Sequence, residues 1–429
     1  MLLSFTFKNW KSFAKENEIS FYSTYERQHG SRRALIKKYN QNILPIKAIF
    51  GGNASGKSNM VSAIEFVRKM ITESINIMDR IDLETFEFDQ ELKNQPSEFF
   101  LQILVNEYIY HYNFTLTKEE ILSEELSIEN SQSKHLIYKR EKDKYKFGKK
   151  YEKNDYLKFA SKGTKKNKLF LRNTIEQGLE EFENIYQWFQ KLSIISPDTR
   201  IVFPKISPTE LKDISNVYLS CLDTGIEHLE LQEVNVNTLS LPKEIKDNIW
   251  DNLSEENLFS QLTNLNRNMT YFFEWKDGEI KAYKYRTVHR TRSGNKTFDL
   301  EMESDGTRRV IEFIPVFQDL VIEKDQVIVI DELDRSLHTQ LTRALVELFL
   351  NEYNENNRSQ LIFTTHDIML MDQSILRRDE MDLVERNQYS ESQIFSISDF
   401  DEIRYDTDLR KKYLEGRFGG NPKICEIFL

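Results

Sequence analysis

The stretch Gly51-Gly-Asn-Ala-Ser-Gly-Lys-Ser58 decides the fold of this chain. The apolar run Ile46–Phe50 precedes it, and apolar residues recur at helical spacing over the next fifteen positions. In this order of strand, loop and helix, backbone amides wrap a phosphate chain at a helix N-terminus. The stretch therefore predicts an ATP site, and a glycine-rich turn after a strand is the simpler alternative.

Each residue type in this phosphate loop (P-loop) has a predicted role. The lysine would contact the phosphates and Ser58 would hold Mg²⁺, so ATP and Mg²⁺ are the expected ligands. The predicted nucleotide-binding residues are Gly51, Gly52, Asn53, Ala54, Ser55, Gly56, Lys57, Ser58 and Asn59.

Composition indicates a globular protein of two or three structural units. The chain has 429 residues, of which 39% are hydrophobic, and the 29 Phe and 19 Tyr are too many for a disordered chain. The N-terminal sequence does not resemble a signal peptide, and no apolar run approaches the roughly 18 residues of a membrane helix. Cys221 and Cys425 match no metal-ligand spacing. We expect a cytoplasmic protein with reduced thiols and no membrane partner.

The net charge of −10 is unevenly distributed. The segment 134–168 contains fourteen Lys or Arg and four Asp or Glu, so it is strongly basic within an acidic chain. Aromatic residues interleave with these lysines, a pattern compatible with phosphate contacts and base stacking. A solvated lysine-rich hairpin is the alternative. The aromatic residues are Tyr138, Tyr145, Phe147, Tyr151, Tyr156 and Phe159.

A second apolar strand, Gln326–Ile330, ends in Asp331 and Glu332. Such a strand delivers carboxylates to the edge of a sheet where ligands bind. Phosphoryl transfer needs metal charge and an aligned nucleophile, so we assign Asp331 to Mg²⁺ and Glu332 to the attacking water. An exposed acidic turn after a buried strand is the alternative.

A third apolar strand, Gln360–Thr365, ends at His366. This histidine could form a hydrogen bond with the terminal phosphate or orient the attacking water. We predict it to be catalytic together with Glu332 and Lys57. A structural histidine at a strand end is the alternative. The run Leu341–Leu350 predicts a helix between the two strands.

The run Glu303–Thr307, followed by an apolar helical run, resembles the signature loop of ABC-type ATPases. That resemblance implies that Ser304 and Gly306 contact the nucleotide of a partner subunit. Only the Ser-x-Gly core is present, and an ordinary helix N-cap explains it otherwise.

The order of these motifs, with Phe7–Phe13 at the start, resembles the ABC-type heads of the SMC, RecF and OLD group. More narrowly, it resembles the ATP-binding proteins of bacterial abortive-infection and phage-defence operons, on residues 51–59, 303–309, 330–338, 364–367 and the tail 413–422. The resemblance implies an α/β ABC-type P-loop head with a mixed sheet and an inserted, mainly helical subdomain. The expected segments are 1–121, 122–295 and 296–429.

The same resemblance implies an Mg²⁺-dependent ATPase that forms a head-to-head homodimer through its ATP sites, with higher oligomers allowed. Asp334 would couple the two sites, and Gln90 and Gln102 are candidates for the glutamine loop. The leading hypothesis is a switch in anti-phage defence, triggered by a phage protein or nucleic acid, that controls a separately encoded effector, a toxin or nuclease. A RecF-like DNA repair clamp gripping DNA through the basic segment is the alternative, and a transport ATPase is the third.

Overall fold

The computed structural model describes residues 1–73, 80–197, 207–219, 222, 224–239, 241, 243–254, 259–264, 269–323, 325–400, 403 and 407–420. The chain divides into two compact units. The first comprises Met1–Pro197, Leu320–Leu333 and Phe349–Leu429, and the second Asp198–Asp319 and Asp334–Leu348. Both cysteines and the last two residues of the predicted tail, Asn421 and Pro422, lie outside the described residues.

Strands and helices alternate irregularly along the chain. The strands are β1 (Leu2–Lys8), β2 (Asn17–Ser20), β3 (Ala34–Ile36), β4 (Gln41–Ile43), β5 (Ile46–Phe50), β6 (Ser97–Val105), β7 (Tyr108–Leu116), β8 (Ile121–Glu129), β9 (Lys134–Glu141), β10 (Lys144–Phe147), β11 (Ser193–Ile195), β12 (His228–Val234), β13 (Phe259–Asn264), β14 (Met269–Lys276), β15 (Glu279–Thr291), β16 (Gly294–Asp299), β17 (Val327–Ile330), β18 (Gln360–Thr365), β19 (Met381–Arg386) and β20 (Ser392–Ser396). The helices are α1 (Lys57–Thr72), α2 (Asp155–Gly163), α3 (Phe170–Glu176), α4 (Glu183–Lys191), α5 (Pro208–Leu219), α6 (Lys243–Asn252), α7 (Asp305–Ile322), α8 (Thr339–Glu352) and α9 (Leu409–Leu414).

The P-loop belongs to a six-stranded sheet in the first unit, ordered β11-β17-β18-β5-β19-β20. Its pairs are parallel except for the antiparallel β19 and β20. The strands β5, β17 and β18 are buried along their whole length, which explains their continuous apolar sequences. Because parallel strands end at one edge, the segments after β5, β17 and β18 emerge on the same side of the sheet.

A second, antiparallel sheet of the first unit is ordered β10-β9-β8-β7-β6-β1-β2. The predicted N-terminal pair is present as β1 and β2, with Phe5 opposite Ile19. The rings of Trp10, Phe66 and Phe99 lie 4.9–5.7 Å apart and join this sheet to α1. Trp10 Nε1 also donates to the Asn59 carbonyl at 2.8 Å, so aromatic packing fixes the helix that follows the P-loop.

The second unit has its own antiparallel sheet, ordered β12-β15-β14-β13, with β16 paired to β15. Asp277 and Gly278 have positive φ angles of 55° and 82°, and they form the tight turn that the Asp-Gly pair predicts between β14 and β15. A core cluster joins α5, β12 and α7 through Leu219, Leu229 and Val310.

The mixed α/β class predicted from the sequence is confirmed. Helices occur in the inserted region as expected, together with the strands β8–β10 and β12–β15. The compact units have other bounds than the three expected segments, because β8–β10 extend the sheet begun by β1 and β6 and so place residues 122–197 in the first unit. Within the described residues, no helix is both long and apolar enough to cross a membrane.

Candidate functional site

Two glycines shape the P-loop because neither position has room for a side chain. A Cβ on Gly51 would lie 2.5 Å from the Val384 carbonyl oxygen. Gly56 has a φ of +120°, and a Cβ there would lie 2.5 Å from Ser392 Oγ and 2.9 Å from Ser12 Oγ. The motif's first and last glycines are therefore required by close packing and backbone conformation.

Lys57 is buried at the start of α1. Its ammonium donates to the carbonyls of Gly51 and Gly52 at 2.8 and 3.0 Å, and it lies 3.4 Å from His366 Nδ1. An ammonium only donates, so Nδ1 accepts and the ring proton lies on Nε2. That nitrogen lies 4.0 Å from Glu332 Oε1. Lys57, His366 and Glu332, which are far apart in the sequence, thus meet in the first unit.

Thr364 connects the two carboxylates that follow β17. Its hydroxyl donates to Asp331 Oδ1 at 2.6 Å and accepts the Glu332 amide proton at 2.7 Å. Glu332 has a φ of +54°, a conformation that non-glycine residues rarely adopt. Asp331 and Thr364 are buried, whereas the Glu332 side chain remains 34% exposed. The hydrogen bond from its amide to Thr364 holds the strained Glu332 backbone, and the same hydroxyl positions the Asp331 carboxylate.

A cleft of about 480 Å³ is bounded by the P-loop, Glu332 and His366. The Glu332 and His366 side chains are each about one-third exposed. The residues lining it are Asn53, Ala54, Ser55, Gly56, Lys57, Ser58, Asn59, Glu332, His366 and Arg386. Most of the predicted nucleotide-binding residues and all three predicted catalytic side chains therefore share one cavity.

A hydroxyl cluster braces the back of the P-loop. Ser12 Oγ accepts from Asn59 Nδ2 at 2.9 Å and lies 2.8 Å from Ser392 Oγ. Ser392 Oγ also lies 2.5 Å from the Ser55 carbonyl oxygen. Ser392 could not be predicted from the sequence, because its place beside the P-loop depends on pairing between distant segments.

Arg386 lines the cleft and was not predicted from the sequence. Its guanidinium lies 5.2 Å from the centre of the Phe88 ring, and Nε donates to the Ser390 carbonyl at 3.1 Å. Phe88 is 66% exposed. Gln90 lies in the same loop as Phe88, whereas Gln102 accepts from the Tyr22 hydroxyl within the antiparallel sheet. Of the two glutamine candidates, Gln90 lies in the loop that reaches a cleft residue.

The tail flagged in the sequence reaches the P-loop. Gly52 N–H donates to the Gly420 carbonyl at 3.0 Å, and the Tyr413 hydroxyl donates to the same oxygen at 2.9 Å. Gly420 of the tail therefore has a hydrogen-bond partner in the P-loop that the sequence alone did not reveal.

The remaining predicted site residues belong to the second unit. Ser304 Oγ accepts the Thr307 amide proton at 3.2 Å, as an N-cap does at the start of α7. A Cβ on Gly306 would lie 2.4 Å from the Ser336 carbonyl oxygen, so the α7 start packs closely on the turn after Asp334. Asp334 accepts from Leu337 N through its carbonyl at 3.0 Å.

The basic segment 134–168 contains buried as well as exposed residues. Arg140 is buried, lies 3.7 Å from Glu124, and donates to the carbonyls of Lys165 and Lys168. Tyr138 is also fully buried. The segment therefore forms part of the folded first unit and contributes to its core.

Residues 46–372 match the family described as "AAA domain, putative AbiEii toxin, Type IV TA system". The match covers about three-quarters of the chain. The chain belongs to this family of AAA-domain proteins. No curated protein sequence matches it.

Two solved structures are similar to this AAA-domain protein at 14% identity. One is an SMC head bound to the C-terminal winged-helix domain of ScpA, with a TM-score of 0.42 and coverage of 92% of this chain and 97% of that chain. The other is the SMC head domain from Thermotoga maritima, with a TM-score of 0.36 and coverage of 92% and 98%.

Proposed function

We propose that this AAA-domain protein is an Mg²⁺-dependent ATPase of the ABC type whose nucleotide state acts as a switch. The observation that carries the proposal is the convergence of the P-loop, Glu332 and His366 on one cleft. Their separation in sequence makes this convergence the strongest support for a shared function.

The residues of the cleft fit a triphosphate and its metal. Lys57, the Ser58 hydroxyl and the amides at the α1 N-terminus form a donor set suited to phosphate oxygens. Ser55 Oγ is buried and, within the described residues, has no hydrogen-bond partner. Ser58, which lines the cleft, and the buried Asp331, which precedes the cleft residue Glu332 and would act through water, would hold Mg²⁺, whose charge would neutralise that of the phosphates.

The chain's own residues supply the remaining steps. Glu332 accepts a proton from the attacking water, and its strained backbone is held by Thr364. His366, with its proton on Nε2, donates toward the transferred phosphate or the water. Asn53, Ala54 and the two glycines shape the loop around the phosphate chain.

The switch needs a second subunit. Ser304 and Gly306 would contact the partner's ATP and Asp334 would couple the two sites, so ATP would favour a closed homodimer that hydrolysis reopens. The family description names a toxin and a type IV toxin–antitoxin system. That description supports a role in toxin control, and we propose that the switch acts in anti-phage defence, where it holds or releases a separately encoded effector.

Calorimetry and a hydrolysis assay test the ATPase. Lys57→Ala should abolish ATP binding, whereas Glu332→Gln should bind ATP and accumulate as a dimer with hydrolysis lowered at least about 100-fold. Glu119→Gln, an exposed change, is the matched control. Hydrolysis by Glu332→Gln at the wild-type rate would refute the role of Glu332. For the defence role, cells that express the wild-type operon should resist phage and cells with Lys57→Ala should not.

A further inference from the structure

The exposed face of α2 is the feature that the proposed ATPase does not use. Tyr156 and Phe159 on this helix are 75% and 73% exposed, whereas Leu157 and Ala160 are fully buried against the first unit. Residues three apart on a helix are neighbours, so the two rings lie side by side on the solvent face. Two large adjacent aromatic side chains in water lose the benefit of burial.

Exposed basic residues are frequent in the sequence on both sides of these rings. Residues 149–166 contain seven lysines, all exposed, and two acidic residues, which gives a net charge of +5 within a chain of −10. Lys162 lies one turn beyond Phe159 on the same face, and Lys165 and Lys166 follow the helix. Asp155 and Glu181, which accepts from Asn154, lie at the opposite end of α2. The positive charge therefore concentrates toward the C-terminal end.

The backbone under this face is fixed. Asn154 caps α2 by accepting the Leu157 amide proton at 3.1 Å. The buried Arg140 donates to the carbonyl of Lys165, and Asn173 Nδ2 donates to the Ala160 carbonyl at 3.0 Å. The rings and lysines are thus presented by an ordered helix and turn.

We propose that Tyr156, Phe159, Lys162, Lys165 and Lys166 form a binding surface for single-stranded nucleic acid, here called the stacking surface. Exposed rings stack on unpaired bases, and the flanking lysines contact phosphates. A duplex keeps its bases stacked inside and offers the rings no partner, so charge and aromatic exposure together favour a single strand. This inference goes beyond the proposed ATPase and does not depend on it.

Fluorescence anisotropy with labelled oligothymidine and oligouridine of about 16 nucleotides, and with a duplex of equal length, tests the surface. Wild-type protein should bind the single strands more tightly than the duplex. Tyr156→Ala and Phe159→Ala should each weaken binding about tenfold, and Tyr156→Phe should retain it. Tyr25→Ala, at a fully exposed tyrosine between β2 and β3, is the matched control and should change nothing.

A salt titration separates the lysines from the rings. Lys165→Gln with Lys166→Gln should reduce the salt slope of log affinity by about 1.4, whereas Tyr156→Ala should leave the slope unchanged. Equal binding of duplex, equal loss in Tyr25→Ala, or binding of an acidic peptide in place of the oligonucleotides would overturn the proposal. ATP binding by calorimetry should be intact in every variant, which keeps this result distinct from a failure of the ATPase.

Discussion

The amide of Gly52 donates to the carbonyl of Gly420 at 3.0 Å, which ties the P-loop to the segment after α9. The same carbonyl accepts from the buried Tyr413 hydroxyl at 2.9 Å. A carbonyl oxygen has two lone pairs, so both bonds can be made at once. Tyr413, which does not line the cleft, thereby positions the Gly420 carbonyl that accepts the hydrogen bond from the P-loop.

Tyr413→Phe should weaken ATP binding about three- to tenfold, since it removes one hydrogen bond from the oxygen that holds Gly52. Calorimetric titration with ATP measures this change. Tyr353→Phe is the matched control, because that buried hydroxyl donates to the Asn357 carbonyl at 3.1 Å, away from the P-loop. If the two variants bind ATP equally well, the tail does not support the P-loop.

Gly51→Ala should lower ATP affinity more than about tenfold. Its new Cβ would meet the backbone oxygen of Val384, which cannot move without shifting β19. Gly178→Ala is the control, because Gly178 has a φ of +71° and open space around its Cβ position. Gly178→Ala should lower the free energy of unfolding by about 1 kcal/mol through backbone strain and should leave ATP binding unchanged. Equal ATP affinity in both variants would contradict the packing argument.

Thr364→Val should reduce ATP hydrolysis about 10- to 100-fold, because Glu332 loses the acceptor that fixes its strained backbone. Asp331 simultaneously loses its hydroxyl donor. A steady-state hydrolysis assay measures the loss. Thr174→Val is the matched control, because the buried Thr174 hydroxyl donates to the Leu171 carbonyl. It should lower the free energy of unfolding and leave the rate of ATP hydrolysis unchanged. An unchanged rate in Thr364→Val would show that Glu332 needs no such support.

Arg386→Ala should raise the KM for ATP about tenfold and leave kcat nearly unchanged. Its guanidinium lines the cleft beside Phe88, where it contributes charge to binding without reaching Glu332 or His366 in the described contacts. Arg290→Ala, an exposed change at the end of β15, serves as the control. A fall in kcat with an unchanged KM would instead place Arg386 in the chemical step.

The sequence predicted those parts of the site that follow a local pattern. The run Ile46–Phe50 became β5, Lys57 begins α1, and Gln360–Thr365 became β18, because continuous apolar runs and helical spacing reflect local geometry. The order of parallel strands then brings Glu332 and His366 together. Their assigned roles remain predictions.

Other parts depend on tertiary pairing and left no local signal. Arg386 and Ser392 lie opposite each other beside the turn of the β19–β20 hairpin, which pairs with β5 through β19, and no spacing in the sequence relates them to the P-loop. The basic segment shows the same limit, because Tyr138 and Tyr156 look alike in sequence, although one is buried in the core and the other is exposed. Burial distinguishes them, and burial is set by the whole fold.

Glu380 gives a test of stability against pH. It is completely buried before β19, and burial raises its pKa from 4.5 to about 7. Its Oε2 accepts the Arg377 amide proton at 2.8 Å, whereas Oε1 has no hydrogen-bond partner within the described residues. The folded state therefore binds this proton more tightly than the unfolded chain, and the contribution of Glu380 to the free energy of unfolding falls as pH rises from 4.5 to 7.

Glu380→Gln should remove that dependence, because the amide is neutral at every pH and can still accept from Arg377. Relative to wild type, the variant should gain up to about 3 kcal/mol in unfolding free energy between pH 5 and pH 8, measured by denaturant titration at both values. The exposed Glu119→Gln should show no such gain. A constant difference between Glu380→Gln and wild type across this range would mean that Glu380 ionises as freely in the folded protein as in the unfolded chain.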